Sequence, residues 1–546
     1  MEKLHYIDAD VVCLLSKLNT YDYIIVGSGF GGGPMADDLA RKKKRVLLIE
    51  RGEVIFSTHV LNTSRPYFGR GASNSPEGNE TIYDSVKAKV QCSEGSETYV
   101  GGPVYCVGGR SNLWGIWTPE ISSQTLEKYF PAEVVSYLQE GGGYAKAFNF
   151  MTQNSQESEP YPIDSGQMTQ SEIDGVKSTL QAAIPDVDWD LMPVAAEFNS
   201  SAPYKFPQGA YSTTLAIMNK IFAKDQYLTV LLDTEVISVE HSKTENAQDP
   251  TEERKVHSIK FRNGADTTIK DLPVGNAKVI ISAGTIGTAS IALNSGFQLL
   301  NPLVGKGIID HDICYVRFSM EKEGEMKKPL NLKTLITIED RLCLLTVTVN
   351  ANFFLAGCSA SLPTTHFYDR RGRLIDGKDR RLRDQGAFDT ICILFEFVAD
   401  LQDSNEVLNL ASVNPVLSIT RPPLANAVDS GMLEFVKNIR DQFVYDGNPP
   451  TPEPPIPQPS HMGFGVFAHE CGTMRMDGPQ GNGGVVDSNL KMKGFENLWV
   501  CDMSVFPVCP EANPALTLAA LSIRMADQFV PDPQQPDLPP IGPGEI

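Results

Sequence analysis

The sequence lacks most of the features that mark secreted, metal-binding and membrane proteins. Its ten cysteines stand apart, with no C-x-x-C pair and no Cys/His cluster at metal-ligand spacing. Neither a disulfide framework nor a bound metal is therefore expected, and free thiols in a reducing compartment are the simplest reading. No apolar run reaches the length of a membrane span. The first 20 residues place Asp8 and Asp10 beside a short apolar stretch, Val11 to Leu15, without the basic start or small-residue cleavage site of a signal peptide. A cytoplasmic location is expected. Positive charge is also scarce: 47 Lys and Arg stand against 67 Asp and Glu, a net charge of −20. That balance disfavours nucleic acid or an anionic membrane as partner and reads as a solvated acidic surface. The one dense basic run, Arg41 to Arg45, falls where the first helix should end, a place that suits cations.

What is present begins with Tyr23-Ile24-Ile25-Val26, an apolar β-branched run that enters Gly27-Ser28-Gly29-Phe30-Gly31-Gly32. Met35, Ala36, Leu39 and Ala40 follow at helical spacing, and a second apolar run, Val46 to Ile49, closes on Glu50 and Arg51. Strand, glycine turn, helix, strand and acid in this order form a dinucleotide-binding unit. Gly27 permits the tight turn, Gly29 lets a pyrophosphate approach the backbone, and Gly32 allows close helix packing. Glu50 stands where a carboxylate accepts hydrogen bonds from an adenosine ribose. With 546 residues and 41% hydrophobic content, the chain has room for this unit and a further domain.

Along the chain, Ser57 to Thr98 is polar and reads mostly as loop. Gly108-Gly109-Arg110-Ser111-Asn112-Leu113-Trp114 continues to Trp117-Thr118-Pro119, combining paired glycines with a flat aromatic platform suited to a planar ring. Strands are expected at Leu228–Leu232, Val236–Glu240 and Lys255–Phe261, and Lys278 to Gly284 runs through Ala283 into a helix as an added strand of the parallel sheet. From Asp310 to about Asp403 the period becomes two, notably at Leu342–Asn350 and Ile391–Val398, which predicts an antiparallel sheet with substrate contact. The proline-rich connector Asn448–Pro459 is expected to be extended and solvent-exposed. Chemistry concentrates near the C-terminus. His469 emerges from an apolar run into a glycine turn, and Asn513 precedes Pro514 at the start of an apolar helix through Thr517. A histidine can accept a proton near neutrality, and a nearby amide can stabilise an alkoxide. Glu470 and Arg475 are expected to serve local ion pairs, and His311 and His461 structural roles.

In these motifs, taken in order, the chain resembles the glucose–methanol–choline (GMC) family of FAD-dependent oxidoreductases. The resemblance spans Gly27–Gly32, Gly108–Trp117, Val279–Gly284, Gly305–His311, the His469 turn and Asp502 through Asn513-Pro514 to Thr517. It implies an α/β fold: a doubly wound, Rossmann-like FAD-binding domain and an α+β substrate domain on an antiparallel sheet. The expected boundaries are residues 1–120, 206–310 and 470–530 for the first, 121–205 and 311–469 for the second, and a proline-rich tail at 531–546. FAD would lie on Gly27–Gly32, Glu50 and Arg51, with adenine at the backbone of Val236. Asp502 would lie near its ribityl and pyrophosphate chain, Ala283, Gly284, Pro514 and Thr517 would stand against the cofactor, and the flavin ring would sit between the stretch of Gly109, Ser111, Asn112, Leu113 and Trp114 on one side and His469 and Asn513 on the other.

Within the family, the Gly109–Pro119 stretch looks most like the pyranose oxidase branch, except that Leu113 replaces the flavin-linking histidine. Non-covalent FAD is thus implied. The implied reaction is oxidation of the CH–OH group of a sugar, polyol or specialised metabolite, with oxygen or a quinone as electron acceptor. The family's redox-neutral or light-driven lyases and decarboxylases supply the alternative.

Overall fold

In the computed structural model, the residues described are 9–62, 79–152, 170–195, 209–243, 253–319, 330–349, 367–368, 374–375, 390–410 and 414–531. The proline-rich tail and part of the expected loop before Thr98 lie outside these residues.

Tyr23–Val26 is the middle strand of a five-stranded sheet. Val46–Ile49 lies on one side in parallel register, Tyr23 opposite Val46, and Lys278–Ile281 on the other, Tyr23 opposite Lys278. Leu228–Leu231 and Leu498–Val500 complete the edges, also parallel. The three inner strands are almost entirely buried, which is why they read as continuous apolar runs rather than alternating ones. Helix Gly32–Arg41 packs against the C-terminal helix Ala515–Phe529 and against Thr213–Phe222. The C-terminal helix is buried without interruption from Leu516 to Ala526, as its apolar composition on all sides requires. The expected strands after residue 233 form a separate antiparallel sheet of Thr234–Lys243, Arg254–Asn263 and Asp266–Pro273.

The period-two region forms a mainly antiparallel, eight-stranded sheet, with Asp312–Ser319, Thr390–Phe397, Arg341–Val349 and Leu330–Ile338 adjacent in that order. Alternate residues divide its two faces. Cys314, Val316, Leu345, Val347, Ile393 and Phe395 pack with helices Gln170–Ala183 and Asn426–Tyr445. Ile313, Tyr315, Cys392 and Leu394 face the opposite way, toward Trp117, Val466 and Phe467.

One local expectation is revised and one is extended. Helices Ser123–Tyr129, Ala132–Gln139 and Gly143–Met151, expected with the second sheet, bury Leu126, Phe130, Val134, Leu138 and Tyr144 in the core of the parallel sheet. Their amphipathic period shows that they have an apolar face but not which core receives it. The connector Asn448–Pro459 has no helix or strand and is largely exposed, as expected, and it is also pinned. The guanidinium of buried Arg440 donates to the carbonyls of Pro454 and Pro455, each at 3.0 Å, and to Glu453 at 2.9 Å. Burying that charge requires partners, and the connector supplies them.

Among the described residues, no helix is long and apolar enough to cross a membrane.

Candidate active site

A cavity of about 560 Å³ runs between the two sheets. The glycine turn forms its floor because three of its positions differ in what surrounds them. At Gly27, whose φ is +98°, an added Cβ would lie 2.1 Å from the carbonyl oxygen of Ser282. At Gly31 it would lie 1.6 Å from that of Cys501, whereas at Gly29 it would meet nothing within 4 Å. Gly29 therefore presents bare backbone to the cavity. Helix Gly32–Arg41 begins beside it, with Gly31 as an N-cap that offers no side-chain acceptor. At the helices starting at Gly284 and Ala515 the N-cap residues, Ala283 and Pro514, likewise offer no side-chain acceptor, and both line the cavity. Three helix amino ends on one cavity make an environment for an elongated anionic ligand.

Most of the residues anticipated for the cofactor come together here. Glu50, Arg51, Val236, Gly27 to Gly31, Ala283, Gly284 and Asp502 all line the cavity. Oε2 of Glu50 accepts from the backbone N–H and the hydroxyl of Ser28 at 3.1 and 2.5 Å, and Oε1 accepts from the N–H of Gly52 at 3.0 Å. Burial pushes the Glu50 carboxyl above its ordinary pKa. Arg51 pairs with Glu235 at 2.9 Å and lies over the ring of Tyr105. Asp502 accepts from the N–H groups of Gly284 and Ser504 at 3.0 and 2.9 Å and from the Thr288 hydroxyl at 2.5 Å.

Gly109, Ser111, Leu113 and Trp114 also line it, and Trp114 meets Phe30 edge-on at 4.8 Å. Three anticipated residues stand behind the lining. Asn112 turns inward to donate to the carbonyl of Val107 at 2.8 Å, Thr517 meets Tyr144 at 3.1 Å, and Gly32 abuts the backbone of Gly27.

His469 and Asn513 both line the cavity. The turn that delivers His469 is sharply bent: Gly465, Ala468 and Gly472 have φ of +84°, +59° and +96°. For alanine that conformation costs about 1 kcal/mol. It is held from outside the turn. Nη1 of Arg110 donates to the Ala468 carbonyl at 2.5 Å and pairs with Oε2 of Glu470 at 2.6 Å, while the Tyr99 hydroxyl donates to Oε1 of the same carboxylate. Glu470 thus takes the ion-pair role expected of it, and Arg475 pairs with Asp403. Burial, with the neighbouring His311 ring and the Arg110 charge, pushes the His469 pKa well below the ordinary histidine value. Its ring is therefore a neutral base at physiological pH. Nδ1 of His469 and Oδ1 of Asn513 are buried polar atoms with no hydrogen-bond partner, which suits atoms that await a ligand. Two residues before Asn513, the Glu511 carboxylate accepts from the Ser122 N–H and the Thr125 hydroxyl at 2.8 and 2.7 Å.

Some of the neighbourhood was not anticipated. His311 lies edge-on to His469 at 4.9 Å between ring centres, and burial lowers its pKa to about 3. Ligand atoms of Asp310, His311 and Cys509 fall within 4.8 Å of one another behind the histidine turn, a cluster that sequence spacing does not reveal. The Asp310 carboxylate accepts from the N–H groups of His311 and Gly465 at 2.8 and 3.0 Å, and burial beside Glu470 raises its pKa to about 7. His461, by contrast, is exposed and pairs with Asp429 at 3.0 Å. Arg110 lay inside a recognised motif, but its partner is 360 residues away, and nothing local marks the pair.

The profile of the family described as GMC oxidoreductase matches residues 430–522, the segment that carries both His469 and Asn513. In that segment the chain is similar to the GMC oxidoreductases. Among its relatives, the dehydrogenase eriK of Hericium erinaceus is 22% identical over 596 aligned positions, covering 93% of this chain and 94% of that protein. An uncharacterized GMC-type oxidoreductase of Mycobacterium tuberculosis is 44% identical over 45 residues, 8% of this chain. The match spans only 7% of that protein's own length. The pyridoxine 4-oxidase of Mesorbium loti has the same fold, with a TM-score of 0.55 at 14% identity, over 93% of this chain and 99% of the other. As GMC oxidoreductases are flavoproteins, the bare Gly29 backbone, the three helix amino ends and the orphaned polar atoms fit FAD.

Proposed function

We propose that this protein, as a GMC oxidoreductase, oxidises an alcohol to a carbonyl with FAD as cofactor. The observation that carries this reading is the neutral His469, which with Asn513 lines the same cavity as the dinucleotide-type glycine turn. Gly27–Gly31 and the helix amino ends would hold the pyrophosphate, Glu50 and Val236 the adenosine, and Ser111, Leu113 and Trp114 the ring. When bound, FAD supplies the acceptor for the substrate's carbon-bound hydride. His469 takes the hydroxyl proton, and its depressed pKa keeps it free to do so. Asn513 donates from its amide to the substrate oxygen as negative charge develops there. Arg110, through the Ala468 carbonyl, fixes the direction in which the histidine points. Leu113 has no nucleophilic atom, so FAD is held non-covalently and is released into the supernatant by acid precipitation. The electron acceptor is oxygen or a quinone.

The test is anaerobic mixing of the FAD-loaded protein with a panel of alcohols, followed by air. Bleaching of the flavin bands by one alcohol class, slowed about 10²–10⁴-fold in His469→Ala, supports the reading. Conversion of a substrate with the flavin never reduced would replace it with a redox-neutral lyase or a light-driven decarboxylase.

A further inference from the structure

The half of the cavity that faces His469 and Asn513 has a composition that restricts what can enter it. Among the described residues, Trp117, Leu394, Val466 and Phe467 form most of that wall, with Thr348 and Cys392 beside them. These side chains continue a cluster in which Leu394 and Cys392 pack with buried Ile313, Tyr315 and Met462. The wall belongs to a rigid element. Thr348 is directly opposite Cys392 across the ladder between Arg341–Val349 and Thr390–Phe397, so both share one face of the sheet. The Thr348 hydroxyl is already committed to the Asn331 carbonyl oxygen at 2.7 Å. The Cys392 thiol is kept neutral, its pKa raised to about 11 by burial. Arg317, opposite Cys392 on the next strand, stands outside the lining. Phe467 completes the enclosure, its ring centre 6.2 Å from that of His469.

A sugar or polyol enters such a wall at a cost. Each hydroxyl placed against it loses water and gains no partner, a penalty of roughly tenfold or more in affinity per group. An alkyl or aryl group gains instead, about fourfold per methylene buried. Only the reacting hydroxyl finds polar partners, in His469 and Asn513.

We infer that the substrate is an apolar alcohol, aryl or alkyl around its CH–OH group, and that Leu394, Val466, Phe467 and Trp117 select it against sugars and polyols. This rests on the alcohol-oxidation reading and narrows it, and it departs from the sugar preference that resemblance to pyranose oxidases suggests. In the reaction the substrate loses its hydroxyl proton to His469 and its carbon-bound hydride to FAD, leaving an aldehyde or ketone with the same apolar frame.

The experiment uses the full-length, FAD-loaded protein and measures anaerobic flavin reduction by ω-phenylalkanols of increasing length, 1-alkanols, D-glucose, sorbitol and glycerol. Expected are kcat/KM values for the phenylalkanols at least 100-fold above those for the sugars, rising about fourfold per methylene until the wall is filled. Binding without turnover is read with 2-phenyl-2-propanol, a tertiary alcohol with no transferable hydride. It should perturb the flavin spectrum saturably, and Leu394→Asn should weaken it tenfold or more with FAD content unchanged. A higher kcat/KM for glucose or sorbitol, or a flat series, overturns the substrate class while leaving alcohol oxidation standing. If no alcohol of either class reduces a flavin that dithionite reduces at once, alcohol oxidation itself fails, and this inference with it.

Discussion

Arg110→Met isolates what holds the histidine turn in place. In the native protein one guanidinium nitrogen serves both the Ala468 carbonyl, at 2.5 Å, and the Glu470 carboxylate, at 2.6 Å, and the Glu470 side chain is only 2% exposed. Methionine fills much of the same volume but leaves a buried carboxylate with only the Tyr99 hydroxyl. Removing one partner of a buried ion pair costs about 3–5 kcal/mol. The Arg110 side chain is 28% exposed toward the cavity, so the lower end, about 3 kcal/mol, is expected. The deficit is read by urea denaturation followed by tryptophan fluorescence. Arg110→Met/Glu470→Met, which removes both charges, should recover to within about 1 kcal/mol of wild type. The rate of anaerobic flavin reduction by substrate should fall in the single variant, because the left-handed Ala468 loses its anchor. A single variant within about 1 kcal/mol of wild type, or a double variant no more stable than the single, would refute the reasoning.

Two further predictions concern the cofactor and a buried acid. Gly29→Val should fold, since the new side chain meets no protein atom within 4 Å of its Cβ, yet purify without yellow colour; Gly31→Ala, whose Cβ would lie 1.6 Å from the Cys501 carbonyl, should lose stability instead. Absorbance at the flavin bands and circular dichroism separate the two, and equal FAD content in Gly29→Val and wild type would contradict the assignment of the floor. Glu396 is fully buried with neither carboxyl oxygen hydrogen-bonded, and burial, with Glu511 and Asp310 nearby, raises its pKa to about 8. It folds protonated while the unfolded chain ionises near its ordinary value of 4.5, so stability should decline as pH rises between about 4.5 and 8. Glu396→Gln removes that slope and should be more stable than wild type by about 3 kcal/mol at pH 7; parallel stability–pH curves for the two proteins would show that Glu396 is not the titrating group.

Much of this protein is written in short-range sequence. The glycine turn, the strands on either side of it and the acid that follows are determined within about 30 residues. Their residue types act on neighbours: β-branched runs make buried strands, and glycines at fixed offsets permit a turn that only backbone can line. The change to period two after Asp310, and the delivery of His469 and Asn513 from apolar segments into turns, are local in the same sense.

What only the tertiary structure decided depends on contacts between distant segments. The core that takes the helices between Ser123 and Met151, the pinning of Asn448–Pro459 by Arg440, and the approach of His311 to His469 all join groups whose local patterns are silent about their partners. The same holds for the bond that fixes Ala468 through Arg110, and for the apolar wall assembled from two strands and two loops. Periodicity announces that a face must be buried; which other face it meets is settled only when the whole chain minimises its exposed apolar area and pairs its buried polar atoms.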